Sequence, residues 1–234
     1  MIFMNISTFI DFFLPRQCIG CGSFGEYICK SCYKRFILKS TKYCHVCKKS
    51  CDNIVHKSCK SKTNLDGVFV CLKYNKFIEK LIAEFKYNLY TDIASVVVGF
   101  YISKIKELQL STEDVLFVPV PLHRRRRWER GFNQAEILTK KICEKFNAHY
   151  LNLLIRTRDT KHQVGLKRQE RLVNLTNVFA INKKDFDIFQ DKFQKKKIFL
   201  IDDVMTTGAT LEECALALKN NGINEVYAFV LARG

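Results

Sequence analysis

Two adjacent carboxylates close an apolar segment near the end of the chain, and a run of threonines follows them. The segment reads KKIFLIDDVMTTGAT from Lys196 to Thr210, with the acid pair at Asp202 and Asp203. If a helix starts after these threonines, the turn before it aims backbone N–H groups and the positive end of the helix dipole at one point. We call this turn the phosphate loop, because it is suited to a phosphate group and its glycine allows close approach. Its members are Thr206, Thr207, Gly208, Ala209 and Thr210.

The acid pair predicts the other half of the same ligand. Both carboxylates stand too near the strand end to touch the phosphate without repulsion, but they can accept hydrogen bonds from sugar hydroxyls. A ligand that carries a ribose and a 5′-phosphate satisfies both halves. The competing interpretation is an ordinary helix start, since Thr210 and Glu213 have the spacing of a capping box. That interpretation explains these two residues and leaves the acid pair unexplained.

Five arginines crowd a second segment, which reads HRRRRWERG from His123 to Gly131 and is predicted to be a loop after a strand. They are Arg124, Arg125, Arg126, Arg127 and Arg130. Guanidinium groups can hold a pyrophosphate by bidentate contacts. They can equally grip a nucleic-acid backbone while Trp128 stacks on a base. A third interpretation is a solvated charge run that binds nothing, and the sequence leaves all three open.

Short paired spacings mark eight metal-ligating side chains in the first quarter of the chain. The pairs are Cys18 and Cys21, Cys29 and Cys32, Cys44 and Cys47, and His56 and Cys59. A spacer of two residues lets both members of a pair face one ion, and tetrahedral zinc takes two such pairs. The spacing predicts two structural zinc sites, most simply from consecutive pairs, although pairing the first with the third also satisfies it. Cys51 could replace His56, and an iron–sulfur cluster is an alternative that the spacing favours less than zinc.

The use of cysteine indicates a reducing compartment. Nine of the eleven cysteines precede residue 72, and most belong to the paired spacings, which disfavours a disulfide scaffold. The opening residues lack the basic start and cleavage site of a secretion signal, and no uncharged apolar run reaches the roughly 18–20 residues of a membrane span. We therefore expect a cytoplasmic protein. Cys71, Cys143 and Cys214 fall in apolar segments and are predicted to pack in the core.

The chain is strongly basic. Lysine and arginine outnumber aspartate and glutamate by 39 to 23, which gives a net charge of +16. The first 62 residues alone hold 11 basic and 3 acidic side chains. This balance favours polyanionic partners, either nucleic acid or phosphorylated small molecules.

The elements that must position these groups alternate between strand and helix after residue 64. Short apolar segments predict strands at 67–74, 114–121, 196–201 and 225–232. Helical spacing of apolar residues predicts helices at 76–87, 91–108, 132–146 and 211–220, and the lysine-rich stretch 181–197 is predicted to be a loop. The alternation predicts an α/β fold with a mostly parallel sheet flanked by helices. We expect two parts, a small zinc-ribbon module at 1–63 and this α/β domain at 64–234.

The segment FLIDDVMTTGAT resembles the 5-phosphoribosyl-1-pyrophosphate (PRPP) motif of type I phosphoribosyltransferases. The resemblance implies that Asp202 and Asp203 contact the ribose 2′ and 3′ hydroxyls in the catalytic site, and that the phosphate loop holds the 5′-phosphate. It also implies that magnesium accompanies PRPP. In that family the loop after a strand such as VPVPL binds pyrophosphate, which makes Arg130 the first candidate for this contact, together with Arg127.

Two further segments, 118–134 and 156–179, lie behind the cysteine-rich start. Together with that start they resemble the ComF family. They read VPVPLHRRRRWERGFNQ and RTRDTKHQVGLKRQERLVNLTNVF. Members of that family join an N-terminal double zinc ribbon to a type I phosphoribosyltransferase-like domain, and some are linked to natural DNA uptake. The resemblance runs from Pro15–Arg16 to the last predicted strand and departs at His56, where the family usually has cysteine. It implies that the segment 156–174 covers the site. The polar and basic character of this segment predicts a mobile flap, and a purely structural crossing is the alternative. Residues of that flap are Gln163, Leu166 and Arg171.

These features leave three functions open. In the first, the chain binds PRPP and acts in natural transformation together with other DNA-uptake proteins. It binds single-stranded DNA through the zinc module and the arginine segment, and PRPP or a nucleotide regulates this binding. In the second, it is an active phosphoribosyltransferase that moves phosphoribose from PRPP to an unidentified nitrogen acceptor in nucleotide metabolism, by positioning and electrostatic stabilisation without a protein nucleophile. In the third, it is an interaction module that keeps the fold and binds neither ligand.

Overall fold

The computed structural model describes residues 16–40, 42–52, 54–87, 91–158 and 178–234. The predicted flap residues Gln163, Leu166 and Arg171 lie outside this part of the chain. In chain order the strands are β1 (Gly67–Lys73), β2 (Val115–Pro119), β3 (His149–Tyr150), β4 (Leu154–Arg156), β5 (Phe179–Ile181), β6 (Lys197–Met205) and β7 (Val226–Arg233). Five of them form a sheet in the order β1-β7-β6-β2-β3, and every neighbouring pair in it is parallel, as predicted. Strands β4 and β5 form a separate antiparallel pair.

Helices connect the strands and flank the sheet on both faces. In chain order the described helices are α1 (Lys30–Phe36), α2 (Lys76–Tyr87), α3 (Thr91–Glu107), α4 (Arg124–Arg130), α5 (Gln134–Phe146), α6 (Lys183–Lys192) and α7 (Ala209–Lys219). The predicted helices at 76–87, 91–108 and 132–146 are confirmed to within two residues at each end. None of the helices in the described ranges combines the length and the apolar character that crossing a bilayer needs.

Alternation along β6 divides the core between the two faces of the sheet. Phe199 and Ile201 belong to the apolar cluster that includes α2, α3 and α5, whereas Ile198 and Leu200 belong to the cluster that includes α7. A parallel strand covered on both faces is a continuous apolar run, which is why this strand could be predicted. Burying each large apolar side chain contributes about 1.5–3 kcal/mol to the stability of the fold. The two clusters therefore fix the position of β6 and of the phosphate loop that follows it.

The stretch 181–197, predicted as a loop, contains helix α6 and the start of β6. Phe186 and Phe189 stack with 5.8 Å between ring centroids, and Phe189 is buried in the same cluster as α7. The prediction was wrong because the lysines dominate the composition and hide two aromatic residues at helical spacing.

The cysteine-rich module, residues 16–63, packs against the edge strand β1 and the helix beside it. Lys39 and Ile54 form antiparallel bridges to β1. Phe36 stacks on Phe77 of α2 with 5.2 Å between ring centroids. An edge strand has unpaired N–H and C=O groups, and covering it removes them from solvent. The module therefore protects the β1 edge of the sheet.

Three cysteines outside the paired spacings lie in the core. Cys71, Cys143 and Cys214 are buried, as predicted. Burial raises the pKa of Cys143 to about 12, and it raises the pKa values of Cys71 and Cys214 as well. These thiols stay protonated at neutral pH and serve packing.

Candidate functional site

Eight side chains of the cysteine-rich module gather into two groups of four, each compact enough for one metal ion. The first group is Cys18, Cys21, Cys29 and Cys32, and the second is Cys44, Cys47, His56 and Cys59. Within each group the donor atoms lie within 4.8 Å of one another. Tetrahedral zinc with Zn–S bonds of about 2.3 Å separates its sulfurs by about 3.8 Å, and Cys21 Sγ and Cys29 Sγ are 3.7 Å apart. The donor sets therefore fit zinc, and they combine consecutive pairs rather than interleaved ones.

Backbone amides in both groups point at sulfur, as the paired spacing requires. Burial alone would raise the pKa of Cys18, but nearby backbone N–H groups lower it to about 6. The same balance lowers the pKa of Cys44 to about 6. The thiolate is the form that binds metal, so the most deeply buried member of each group is prepared for an ion.

His56, rather than Cys51, completes the second group. His56 Nδ1 lies 3.3 Å from Cys47 Sγ, and this contact raises the pKa of the imidazole. Cys51 Sγ donates instead to the carbonyl oxygen of Ile54 at 3.1 Å. The second group is thus three cysteines and one histidine, a donor set that structural zinc sites use.

The acid pair lies inside strand β6 rather than after it. Asp202 pairs in register with Val230 of β7, and Met205, the last residue of β6, pairs with Arg233. The prediction that the strand ends at Ile201 was wrong, because β7 runs alongside and supplies partners for the residues that follow. The sheet itself therefore fixes the backbone of the acid pair.

The two carboxylates have different partners. Asp203 is 8% exposed and forms an ion pair with Lys86, whose Nζ lies 2.9 Å from Asp203 Oδ2. Asp202 Oδ1 accepts a hydrogen bond from the backbone N–H of Asp203 at 2.9 Å. The Asp202 carbonyl oxygen accepts one from the Tyr101 hydroxyl at 2.6 Å. Lys86 at the end of α2 thus balances the charge of one member of the pair.

The protonation of Asp202 departs from that of an ordinary carboxyl group. Burial and the negative charge of Asp203 raise the pKa of Asp202 to about 8, against the opposing charge of Lys86. Much of Asp202 therefore carries a proton at neutral pH. A protonated carboxyl group both donates and accepts hydrogen bonds, so the acid pair suits a ligand with two neighbouring hydroxyls.

The phosphate loop joins β6 to α7 through a glycine in a left-handed conformation. Gly208 has φ +84° and is the N-cap of α7, which begins at Ala209. A β-carbon on Gly208 would collide with Met205 Cε, so only glycine fits here without movement of its neighbour. Because α7 begins at Ala209, Thr210 lies inside the helix, and the capping-box interpretation of Thr210 and Glu213 is wrong.

A cleft of about 500 Å³ opens at the carboxyl end of the sheet and is lined by the acid pair and by all five residues of the phosphate loop. Four basic side chains line the same cleft: Lys86, Arg126, Arg130 and Arg156. The volume lies within the range of about 300–1,000 Å³ that small-molecule sites occupy. The residues predicted for the two halves of one ligand therefore share a cavity that also holds the cations a polyanion needs.

The arginine segment, predicted as a loop, is helix α4. His123 caps the helix, since its Nδ1 accepts from the N–H of Arg125 at 3.3 Å, and Gly131 ends it with φ +77°. Arg126 and Arg130 are one helical turn apart and both line the cleft. The first candidates for the pyrophosphate contact were Arg130 and Arg127, and Arg126 was named only as one of the five arginines. A run of four arginines has no periodic signal that would single out Arg126 until the segment is recognised as a helix.

The Arg127 side chain forms an ion pair with Glu136 instead of lining the cleft. Its Nη2 lies 3.3 Å from Glu136 Oε2, and it is not among the cleft-lining residues of the described chain. Its contact with pyrophosphate stays a prediction. Trp128 is 86% exposed, so α4 offers arginines to the cleft and an aromatic ring to solvent. Arg156 is the first residue of the segment that the resemblance places over the site, and it lines the cleft. Lys86 was missed, because no local pattern shows that the end of α2 lies at this cleft.

Comparison with known proteins identifies relatives over most of the chain. Competence protein F of Haemophilus influenzae is 28% identical over 218 residues, which are 88% of this chain and 90% of that protein. DNA utilization protein YhgH of Escherichia coli K12 is 30% identical over 160 residues, 67% of either chain. Competence protein ComFC of Bacillus subtilis is 32% identical over 161 residues, 68% of this chain and 61% of that protein. No protein-family model matches the chain. Identity at this level, over two thirds or more of both chains in the first two comparisons, shows that the chain belongs to the ComF family.

Proposed function

We propose that the cleft binds PRPP or a related ribose 5-phosphate ligand. The observation that carries the proposal is that the acid pair, the phosphate loop and four cationic side chains line one cavity. The loop amides take the 5′-phosphate, and the acid pair takes the ribose hydroxyls. Arg126, Arg130 and Arg156 face the pyrophosphate, and Mg²⁺, which binds substrate oxygens readily, adds to the charge balance.

Isothermal titration calorimetry with PRPP and Mg²⁺ tests this proposal. Asp203→Asn should weaken binding about tenfold or more, the usual effect of losing a hydrogen bond to a charged group, while zinc content stays unchanged. Asp187→Asn is the matched control, because Asp187 is an exposed acid on α6, and it should bind PRPP like the wild type. No binding of PRPP to the wild-type chain, or equal binding in both variants, would reject the proposal.

We further propose that the chain acts in natural transformation by handling single-stranded DNA. Its relatives are named for competence and for DNA utilization, and its net charge of +16 favours a polyanion. Trp128 is exposed beside a run of arginines, and aromatic rings within a basic surface bind single strands without sequence preference. PRPP or a nucleotide in the cleft then regulates this binding, because α4 contributes to both surfaces. Cysteines that bind metal instead of forming disulfides are typical of a reducing compartment, so we place this role in the cytoplasm, with other DNA-uptake proteins as partners.

Fluorescence anisotropy with a labelled single strand tests the DNA role. Affinity should fall steeply with added salt, because bound phosphates release counterions. Trp128→Ala should cost about 1–3 kcal/mol, the contribution of one stacked base. The double variant Arg124→Gln and Arg125→Gln should weaken binding, while Lys183→Gln with Lys184→Gln on α6 removes the same charge as a control. Equal affinity in the two double variants would show that α4 is not the DNA surface.

The second candidate function is transfer of phosphoribose from PRPP to a nitrogen acceptor. The observation that favours it is the raised pKa of Asp202, which lets this carboxyl group exchange a proton near neutral pH. Pyrophosphate release from PRPP and Mg²⁺, across a panel of bases and amines, measures this activity. Release with one acceptor that is lost in Asp202→Asn supports an enzyme. Tight PRPP binding without release for any acceptor supports a binding protein.

A further inference from the structure

The second metal group reaches both ends of the phosphate loop. Its first two ligands, Cys44 and Cys47, enclose His45, which is 7% exposed. The His45 side chain leads to Glu212 in the first turn of α7, after the loop. The His45 backbone leads to Arg233 at the end of β7, which pairs with the strand before the loop. The two routes use different atoms of one residue.

The side-chain route is a relay of hydrogen bonds. His45 Nε2 lies 2.9 Å from Thr63 Oγ1 and 3.4 Å from Glu212 Oε1. The Thr63 hydroxyl donates to Glu212 Oε1, so it accepts from His45 Nε2. Glu212 Oε2 accepts from the backbone N–H of Asn64 at 2.7 Å. Burial alone would raise the pKa of Glu212, but these contacts lower it, so the carboxylate is charged at neutral pH.

The backbone route runs through strand pairing. Arg233 Nη2 donates to the His45 carbonyl oxygen at 3.0 Å, and its guanidinium carbon lies 5.2 Å from the ring centroid of Tyr43. Arg233 pairs in register with Met205, the last residue before the loop. The next residue, Gly234, donates its N–H to the Met205 carbonyl oxygen at 3.1 Å. The metal-binding knuckle therefore contacts the elements on both sides of the loop.

The orientation of Glu212 matters to an anion held by the loop. Phosphate binds at the N–H groups that begin a helix, and a negative side chain in that first turn competes for the same positive end. In this structure Thr63 and Asn64 occupy both carboxylate oxygens. If residues 44–47 lose their fold, Glu212 loses its contact with His45 and Thr63 loses its donor. We expect the remaining contacts of Glu212 with Thr63 and Asn64 to loosen, so that the carboxylate can turn toward the loop and repel a phosphate.

We propose that metal binding at Cys44, Cys47, His56 and Cys59 and anion binding in the cleft are coupled, with Glu212 as the positioning residue that links them. The proposal rests on the proposed function for the identity of its ligand. Metal holds residues 44–47, and His45 among them contacts Glu212, which follows the phosphate loop, and Arg233, which pairs with Met205 before it. Coupling between two sites is reciprocal, so metal raises the affinity for PRPP, and PRPP raises the affinity for metal by the same factor.

A contact elsewhere in the module supplies a matched control. Lys39 Nζ lies 3.1 Å from Glu107 Oε2 at the end of α3, and no residue of α3 lines the cleft in the described chain. Lys39→Gln breaks a contact between the module and the body of the protein, as Glu212→Ala does, but leaves α7 untouched.

The test measures both affinities on the full chain. PRPP binding with Mg²⁺ is titrated on zinc-loaded and zinc-stripped protein, and zinc affinity is measured by competition with a zinc-selective chelator, with and without PRPP. In the wild type and in Lys39→Gln, both affinities should change by the same factor of about ten or more, the scale typical of coupled sites. Glu212→Ala should keep its zinc and lower the factor in part, by about threefold or more, because the route through Arg233 stays intact. Glu212→Gln, which keeps the size of the side chain, should also lower the factor and serves if the alanine variant does not fold.

Two results overturn the coupling. One is a factor near one in the wild type, and the other is an undiminished factor in the Glu212 variants. Amide hydrogen exchange of residues 206–212 adds a readout that needs no ligand: stripping zinc should speed it at least tenfold, and Glu212→Ala should already show the faster rate with zinc bound. If zinc-loaded wild type fails to bind PRPP, the proposed function falls, and the exchange rates still decide whether the metal site controls the loop.

Discussion

At the scale of single residues, the acid pair is asymmetric. Asp203 is tied to Lys86, whereas Asp202 keeps a proton near neutral pH because burial and the charge of Asp203 raise its pKa to about 8. Two adjacent carboxylates can share one strand because one is paired and the other is largely neutral. The pair then offers a charged acceptor and a group that also donates, which matches two neighbouring hydroxyls.

Asp202→Asn should stabilise the chain progressively as pH rises from about 4 to about 8. The folded-state pKa of Asp202 is raised to about 8, above the ordinary value of about 3.9. The folded state therefore holds this proton longer than the unfolded state, and the contribution of Asp202 to stability is lost as pH rises through this window. Asparagine does not titrate. Urea unfolding of both proteins across this range measures the difference, and parallel pH profiles would show that Asp202 ionises normally.

Lys86→Met should destabilise the chain by about 1–3 kcal/mol, because a nearly buried carboxylate loses its partner. PRPP binding should weaken about tenfold or more, because the cleft loses a charged donor. Lys80→Met, at an exposed position of the same helix, is the matched control. Urea unfolding and calorimetry measure the two effects. Full PRPP affinity in Lys86→Met would remove Lys86 from the ligand site.

The chemically important residues were predictable only where one short segment contains all of them. The acid pair, the phosphate loop and the cysteine pairs can each be recognised in the sequence from residue type and spacing. Lys86 and Arg156 reach the cleft from α2 and β4, and no local pattern records where those elements end in space. The ion pair between Lys86 and Asp203 is a tertiary contact, so it could not be inferred from either segment alone.

At the scale of elements, the turn between β6 and α7 depends on the backbone of one glycine. Gly208→Ala should weaken PRPP binding about tenfold or more and destabilise the fold by about 1–2 kcal/mol, the cost of a left-handed conformation for alanine. Gly222 has the same φ of +84° and, among the described residues, nothing within 4 Å of an added β-carbon. Gly222→Ala is therefore the control for strain alone. Calorimetry measures the PRPP affinity of both variants. Equal affinities of Gly208→Ala and Gly222→Ala would contradict a ligand on the phosphate loop.

The two metal groups should bind two zinc ions per chain. Cys47→Ser should lower the content to about one, because the second group loses a thiolate. Cys51→Ser should leave two, because Cys51 donates to the carbonyl oxygen of Ile54 instead of joining the group. Zinc released on denaturation and measured with a chromogenic chelator gives the numbers. Loss of zinc in Cys51→Ser would reassign the fourth ligand from His56.

The order and type of most elements could be predicted, but the end of β6 could not. Apolar periodicity identified four of the five strands of the parallel sheet and missed β3, which has only two residues. β6 continues past Ile201 because β7 lies beside it, and that pairing is decided by the folded chain. Helices α4 and α6 could not be recognised from composition, because runs of arginine and lysine are typical of solvated loops and also form helices well.

At the scale of the whole molecule, the cysteine-rich module is part of the framework of the cleft. Cys18 and Cys32 of the first metal group belong to the same apolar cluster as Phe77 on α2. The second group contacts α7 through His45 and Glu212. The sequence indicates two parts that meet near residue 64, but the surfaces that join them involve residues far apart in the chain. We therefore expect metal binding, which contributes about 10–16 kcal/mol in small zinc domains, to affect the proposed ligand site as well as the module.

The most direct test of the central claim is a crystal structure of the chain with PRPP and Mg²⁺. We expect the 5′-phosphate to contact the amides of the phosphate loop and the ribose hydroxyls to contact Asp202 and Asp203. The pyrophosphate should face Arg126 and Arg130. PRPP bound outside this cleft, or bound inside it with its 5′-phosphate away from the loop, would contradict the account.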